Sequence, residues 1–247
     1  GEEPTHPELL TWLAAELMEG GWTLKRMHKL IMMSRTYQMS STGNAAGLKV
    51  DPNNDLFWRF NMRRLAAEEI RDSILNLTGQ LNLKMAGPSI YTEIPPDVAK
   101  TASRPGGAWG RSSKEDAARR SVYIFVKRSL HEPFLASFDW ADTDNTCDVR
   151  FVTTVPTQTL TMINSKFLND AAETLAKRLQ TEKPGDVNAQ VRRALELATS
   201  RPPTQQDVTE GIAFIKNFQS KSNLDENQSL QRYCLLVLNL NEFVFLD

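Results

Sequence analysis

The chain has 247 residues, 40% hydrophobic and 24% charged, with a net charge of −1; this is ordinary globular composition and excludes the disordered and fibrous classes. A charge so near balance sets up no global field favouring a nucleic acid or an anionic membrane. The two cysteines, Cys147 and Cys234, are too few for a cysteine-rich scaffold or a multi-cysteine zinc site, and no apolar run approaches the roughly 20 residues needed to span a bilayer.

The opening Gly1-Glu2-Glu3-Pro4-Thr5 has neither an initiator methionine nor the basic-then-apolar order of a secretory signal. It reads as the start of a piece excised from a longer protein. Thr5 and Glu8 have the spacing of a capping box. Leu9, Leu10, Leu13 and Leu17 then share one helical face, and Gly20-Gly21 closes the helix. A second helix is expected after Thr23, with Leu24, Met27, Leu30 and Ile31 at the same period; the short link makes the two an antiparallel pair. Asp51-Pro52-Asn53-Asn54 is turn chemistry, and the aromatic segment 56–60 is read as packing.

A third helix is expected over residues 64–77, burying Ala66, Ile70, Ile74 and Leu77 and capped by Gly79. The stretch 79–119 is the least regular, with Pro88, Pro95-Pro96, Pro105 and Gly106-Gly107. Loops of this length are usually functional or partly disordered. Residues 121–126 make the best strand by β-branched and aromatic content, and residues 89–94 are its expected antiparallel partner. Helices follow over 156–164 and 165–180, then one capped by Asp186, one started by Thr204 after Arg201-Pro202-Pro203, and a nearly all-apolar one over 233–240. The expected class is mainly α: helical bundles with a small antiparallel β element and a long irregular central loop. The fragment divides into N-terminal helices (1–79), a loop and hairpin-like segment (80–150) and a C-terminal helical bundle (151–247).

Several chemistries find no support. His6, His28 and His131 lie far apart, with no haem-attachment or His-x-x-x-His motif, so no metal or cofactor is expected in this segment. A Gly-x-Ser-x-Gly elbow is missing, and acidic neighbours work against a reactive Cys147 thiolate. Cys234 has core neighbours; a Cys147–Cys234 bridge stays open if the compartment is oxidising. Gly106-Gly107-Ala108-Trp109-Gly110 lacks a phosphate-loop lysine, and the helical hairpin around 195–216 has too few cations to grip nucleic acid.

Carboxylates remain. Glu68 and Asp72 are four apart on one helical face and repel unless cations intervene, and Arg64 and Arg71 are placed to do so. A structural arginine–carboxylate network is preferred to acid/base catalysis. Arg104, Arg111, Lys114, Arg119, Arg120, Lys127 and Arg128 cluster around the loop. Tyr91, Trp109, Tyr123 and Trp140 are interleaved with them. Tyr91, Arg104, Trp109, Arg111, Arg128 and Trp140 are the candidate surface for a glycan or partner protein, with ordinary solvated charge as the plainer alternative.

The ordered pattern is familiar as a whole: His6-Pro7-Glu8-Leu9-Leu10, Trp12-Leu13-Ala14, Arg63-Arg64-Leu65, Glu68 and Ile70-Arg71-Asp72 come first. Gly87-Pro88, Arg120-Ser121, Tyr123, Phe138-Asp139, Cys147, Arg150, Pro156, Gln158, Leu160 and Asn164 follow, then Arg201-Pro202-Pro203 and Asn241-Glu242-Phe243. It resembles the planctomycete-specific C-terminal domain of unknown function, which usually follows planctomycete-type cytochrome c and a second uncharacterised domain in large exported proteins. Thr11 stands where that family usually has aspartate, and Thr153-Thr154-Val155-Pro156 where Thr-Asn-Thr-Pro is more usual.

The resemblance implies a periplasmic or cell-envelope setting, haem c elsewhere in the parent protein, and the other domains of that polypeptide as partners. It supplies no catalytic residues. It also implies that Arg64, Glu68, Asp72, Arg120, Asp139 and Arg150 belong to one polar network, to which Arg71 and Tyr123 are added as neighbours. The expected function is a non-catalytic accessory module docking a partner or glycan. The alternative is a polysaccharide hydrolase or lyase using Glu68, Asp72 or Asp139, with the Tyr123 hydroxyl orienting or donating a proton.

Overall fold

A computed structural model describes residues 3–100, 109–141, 143, 146–147 and 149–246. The described residues are mainly helical and fall into two compact units, one running through Arg63 together with Leu246, the other Arg64–Phe245.

The first unit holds α1 (Pro7–Glu19), α2 (Leu24–Met32) and α3 (Ala45–Val50). The Thr5–Glu8 capping box does not form: His6 is the N-cap of α1 and offers no side-chain bond, while the Thr5 hydroxyl sits 2.9 Å from His6 Nδ1. That local hydroxyl–imidazole contact occupies the group the cap needed. Gly21 ends α1 in the left-handed region, and Arg26 of α2 reaches back to Glu16 at 2.5 Å. Helix α3 was not expected; Asn44 caps it by accepting from Gly47 N–H at 2.8 Å. Gly47 is required there, because a Cβ would come within 2.7 Å of the Trp58 ring. The Asp51 carboxylate accepts from Asp55 and Leu56 N–H, which builds the turn read at 51–54.

After β1 (Arg63–Arg64), at which the first unit ends, the second unit continues with α4 (Ala67–Leu77). The expected helix start at 64 is a correction: the chain there is extended, and Leu65 N–H donates to Val244 carbonyl at 2.8 Å. Short helices α5 (Pro96–Lys100), α6 (Lys114–Ala117) and α7 (Pro133–Ser137) punctuate the middle of the chain. Long ones follow: α8 (Pro156–Asn164), α9 (Lys166–Glu182), α10 (Val187–Thr199), α11 (Gln205–Ser222) and α12 (Glu226–Leu238), before α13 (Asn241–Val244) and β2 (Phe245–Leu246). Ser165, Asp186, Thr204 and Asp225 each cap the helix that follows by accepting a backbone N–H. Ile70, Ile74, Leu135, Leu168, Leu175 and Leu238 are among the side chains fully removed from solvent in the core these helices share.

The β element is real but lies elsewhere: β1 pairs with β2 in a two-stranded sheet. The segment 121–126 begins instead as a 3-10 turn, Ser121–Tyr123, and touches 89–94 through one parallel bridge, Ile90 with Ile124. Strand propensity is overridden because Asp72 captures the Ser121 N–H (2.8 Å) and hydroxyl (2.7 Å), bending the chain where a ladder would begin. Within the irregular stretch, residues 101–108 lie outside the described residues, among them Arg104, Pro105 and Gly106-Gly107.

Candidate functional site

Three arginines of the second unit are almost wholly buried: Arg64, Arg71 and Arg119, at 4%, 4% and 2% exposure. Each lies over an aromatic ring, Arg64 over Phe138, Arg71 over Phe167 and Arg119 over Tyr123, the last only 4.0 Å from the centroid. Burying a guanidinium is costly unless its N–H groups are engaged, and all three are engaged differently.

Arg64 leaves β1 to meet Asp139 at 2.6 Å, and its other N–H groups donate to the carbonyls of Thr153, Leu65 and Phe138. Asp139 sits in the left-handed region (φ 60°), just beyond α7, which suits the tolerance of aspartate for that conformation. Its carboxylate also accepts from Thr153 N–H (2.9 Å), the Thr153 hydroxyl (2.8 Å) and Gln158 Nε2 (3.2 Å). Partial burial works to raise its pKa, but the Thr153 donors, Arg64 and Gln158 outweigh this and hold it below the ordinary aspartate value.

Arg71, one face round on α4, donates to the carbonyls of Ala117 (2.6 Å) and Arg119 (3.1 Å) and to the Ser121 hydroxyl (3.1 Å). Its nearest carboxylate, Asp72, is 3.7 Å away and is itself occupied by Ser121. Burial draws the Arg71 pKa down, opposed by the charges of Glu132 and Asp72. Glu132 was not anticipated. It is 6% exposed, caps α7 by accepting from Leu135 N–H at 2.7 Å, and burial raises its pKa against the pull of that bond and of Arg71. A glutamate before a proline that opens a helix (Glu132-Pro133) was the signal available in the sequence.

The largest correction is one residue wide. Arg120 is exposed, and its backbone carbonyl accepts from Tyr123 N–H; Arg119 takes the interior place. It donates to the carbonyls of Lys84 (3.2 Å), Pro88 (3.2 Å) and Ala86. The Tyr123 hydroxyl accepts from Ala86 N–H at 2.9 Å, closing the same loop. Arg71 thus fixes residues 117–121, and Arg119 from that turn fixes residues 84–88. Tyr123 is therefore a ring and acceptor for this loop; its hydroxyl lies against backbone and does not accompany a carboxylate.

Glu68, also on α4, meets Arg150 through both oxygens at 2.9 and 2.8 Å, on the outside of the fold. The side chains of Glu68, Asp72 and Asp139 keep 24%, 23% and 22% of their surface. They are half-buried acceptors already supplied with donors, each with an arginine within 4 Å.

With this geometry in place, the comparison with known families is decisive on membership. Residues 1–215 match the family described as "PSD1: Protein of unknown function (DUF1553)". The chain belongs to that family. No curated protein and no solved structure gives a significant match. The family description names no activity.

The candidate binding surface divides. Tyr91, Trp109 and Phe125 form a half-buried aromatic cluster with centroids 5.1–6.2 Å apart, and Trp109 Nε1 donates to Thr92 carbonyl at 2.8 Å. Arg111 and Arg128 are exposed, while Trp140 packs edge-on to His131 and is not in the Tyr91 cluster. Arg104 lies outside the described residues. Cys147 is exposed and Cys234 buried, both as free thiols, so the open question of a bridge is answered by two separate cysteines. Burial pushes the Cys234 thiol far up, consistent with a core residue.

A cavity of about 330 Å³ lies among α10, α11, α12 and α13, walled by Leu195, Phe214 and Leu240 and edged by Arg201 and Glu242. Tyr233 lines it, 2% exposed, with a hydroxyl that has no hydrogen-bond partner. Gly211 makes room for that ring: a Cβ there would stand 2.8 Å from the Tyr233 oxygen and 2.7 Å from Val191. Among the described residues no group of His, Cys, Asp and Glu is arranged to hold a metal ion, and no helix is long and apolar enough to cross a membrane.

Proposed function

We propose that this PSD1 chain is a non-catalytic accessory module that docks other domains of its own polypeptide within an exported, cell-envelope protein carrying haem c elsewhere. The observation that carries this reading is the state of its three best carboxylates. Glu68 is taken by Arg150, Asp72 by Ser121, and Asp139 by Arg64, Thr153 and Gln158. A general acid or base must reach substrate with a free lone pair or proton. These acceptors spend theirs on holding the fold together. The depressed Asp139 pKa points the same way, since a general acid needs a raised one.

The planctomycete-type, cytochrome c-associated context rests on the resemblance of the ordered motifs. A docking role draws support from the half-buried Tyr91–Trp109–Phe125 cluster, whose rings form a rigid aromatic patch beside exposed Arg111. Such a patch also suits a sugar face, which keeps an envelope glycan as a second ligand.

The test pairs stability with turnover. Asp139→Asn and Glu68→Gln are expected to lower the urea midpoint, and the wild-type chain is expected to release no reducing ends from a panel of acidic and neutral polysaccharides. Reducing ends released by wild type and lost in Asp139→Asn, with an unchanged urea midpoint, would replace the accessory reading with the hydrolase.

A further inference from the structure

Among its described residues the first unit has three helices but one buried apolar side chain, Met27 of α2. Around it Leu9, Leu10 and Trp12 of α1 and Leu24, Leu30 and Ile31 of α2 remain 36–61% exposed. Soluble monomers rarely leave this much apolar surface together on two helices that pack on each other. The charges on the pair are segregated. Helix α1 carries Glu8, Glu16 and Glu19 and no basic residue; α2 carries Lys25, Arg26 and Lys29 and no acidic one.

We propose that the α1–α2 hairpin is an interface between two copies of this chain, α1 of each copy lying along α2 of the other in a four-helix bundle. A two-fold axis sets a surface against itself. A hairpin with one acidic and one basic helix is complementary to its own copy, since each α1 brings glutamates and Trp12 against the lysines of the other copy's α2. A foreign partner would call for one sign of charge, not both. An anionic membrane, which could attract α2, would be repelled by the three glutamates of α1. Six large side chains about half exposed offer on the order of 500 Å². That is the larger part of the about 800 Å² per partner in a standard interface. The inference concerns residues apart from the arginine network and stands or falls separately from the accessory role.

Sedimentation velocity on the full 247-residue chain tests it. Wild type is expected to run at twice 27.9 kDa at micromolar concentration. Glu8→Lys/Glu19→Lys and Lys25→Glu/Lys29→Glu each place like charges across the interface and are expected to weaken self-association by tenfold or more; the internal Glu16–Arg26 pair is left intact in both. Mixing the two variants restores opposite charges at every contact, so an equimolar mixture is expected to recover the dimer. That recovery also demonstrates that both variants are folded. A wild-type chain that is monomeric at 100 μM overturns the proposal, even if it binds anionic vesicles. So does self-association indifferent to the charge reversals, or a mixture that fails to re-form the dimer.

Discussion

Two regions of the second unit solve the same problem by different means. The helices from α8 to α12 satisfy their backbone internally and close their ends with residues adjacent in sequence: Ser165, Asp186, Thr204, Asp225. The described residues of the irregular stretch between α4 and α7 have few ladders of their own, and the carbonyls at 84, 86, 88, 117 and 119 are taken up by guanidinium groups from Arg71 and Arg119. Where the backbone cannot pair with itself, a buried arginine with five donors does the pairing. The charge is then tolerated because it is spread over carbonyl dipoles and an aromatic face as well as carboxylates.

The contrast is broken most severely by removing the arginine that holds the most loop. Arg119→Met leaves three carbonyls without their donor and is expected to cost about 3 kcal/mol or more, read as a fall in the urea midpoint. Protease should then cut near 84–88 before it cuts α9 or α12. If the helical region were cleaved first, the loop would not depend on Arg119.

Asp139→Asn should cost about 1–2 kcal/mol at neutral pH and carry a pH signature. The folded pKa is depressed, so the Asp139 contribution is fully present above the ordinary aspartate value of 3.8 and lost as pH falls through the lower folded value. Glu132 has the opposite sign. Its folded pKa is raised above the ordinary 4.5, so stability falls as pH rises from 4.5 to the raised value and is level beyond it. Glu132→Gln should flatten that descent while leaving the acid limb in place, as measured by urea titrations across the acidic range.

In the self-capped region the effects shrink. Thr204→Ala removes one side of a reciprocal cap and is expected to cost about 1 kcal/mol, with the loss confined by amide exchange to the first turn of α11. Tyr233→Phe deletes a buried hydroxyl with no partner, so its midpoint should be unchanged or slightly raised, by up to about 1 kcal/mol. A clear destabilisation would mean that the hydroxyl has a partner in solution. Glu68→Gln, at a half-exposed pair with Arg150, is expected to lie within about 1 kcal/mol of wild type and to lose its effect in salt.

Much of the helical plan was legible because its signals are local. Apolar spacing of 3–4 residues, a capping side chain and a following Gly or Pro lie within a few positions of each helix, so α9, α10 and α11 could be written down from the chain alone; of α12 only the apolar end was legible, read as 233–240, and its start at Glu226 behind Asp225 was not. Glu68 and Asp72 were legible as acids in search of cations, since two carboxylates on one helical face demand an explanation; Asp139 entered only through the family resemblance. What tertiary structure alone decided is which of two adjacent arginines turns inside, where it meets loop carbonyls and not these acids. Arg119 and Arg120 are indistinguishable by composition, and only the turn imposed by Asp72 on Ser121 directs the first inward and the second to solvent. The same capture turned the best β-former of the chain into a 3-10 turn. Residues distant in sequence set that choice, because two hydrogen bonds to a half-buried carboxylate outweigh the small intrinsic preference of six residues for a strand.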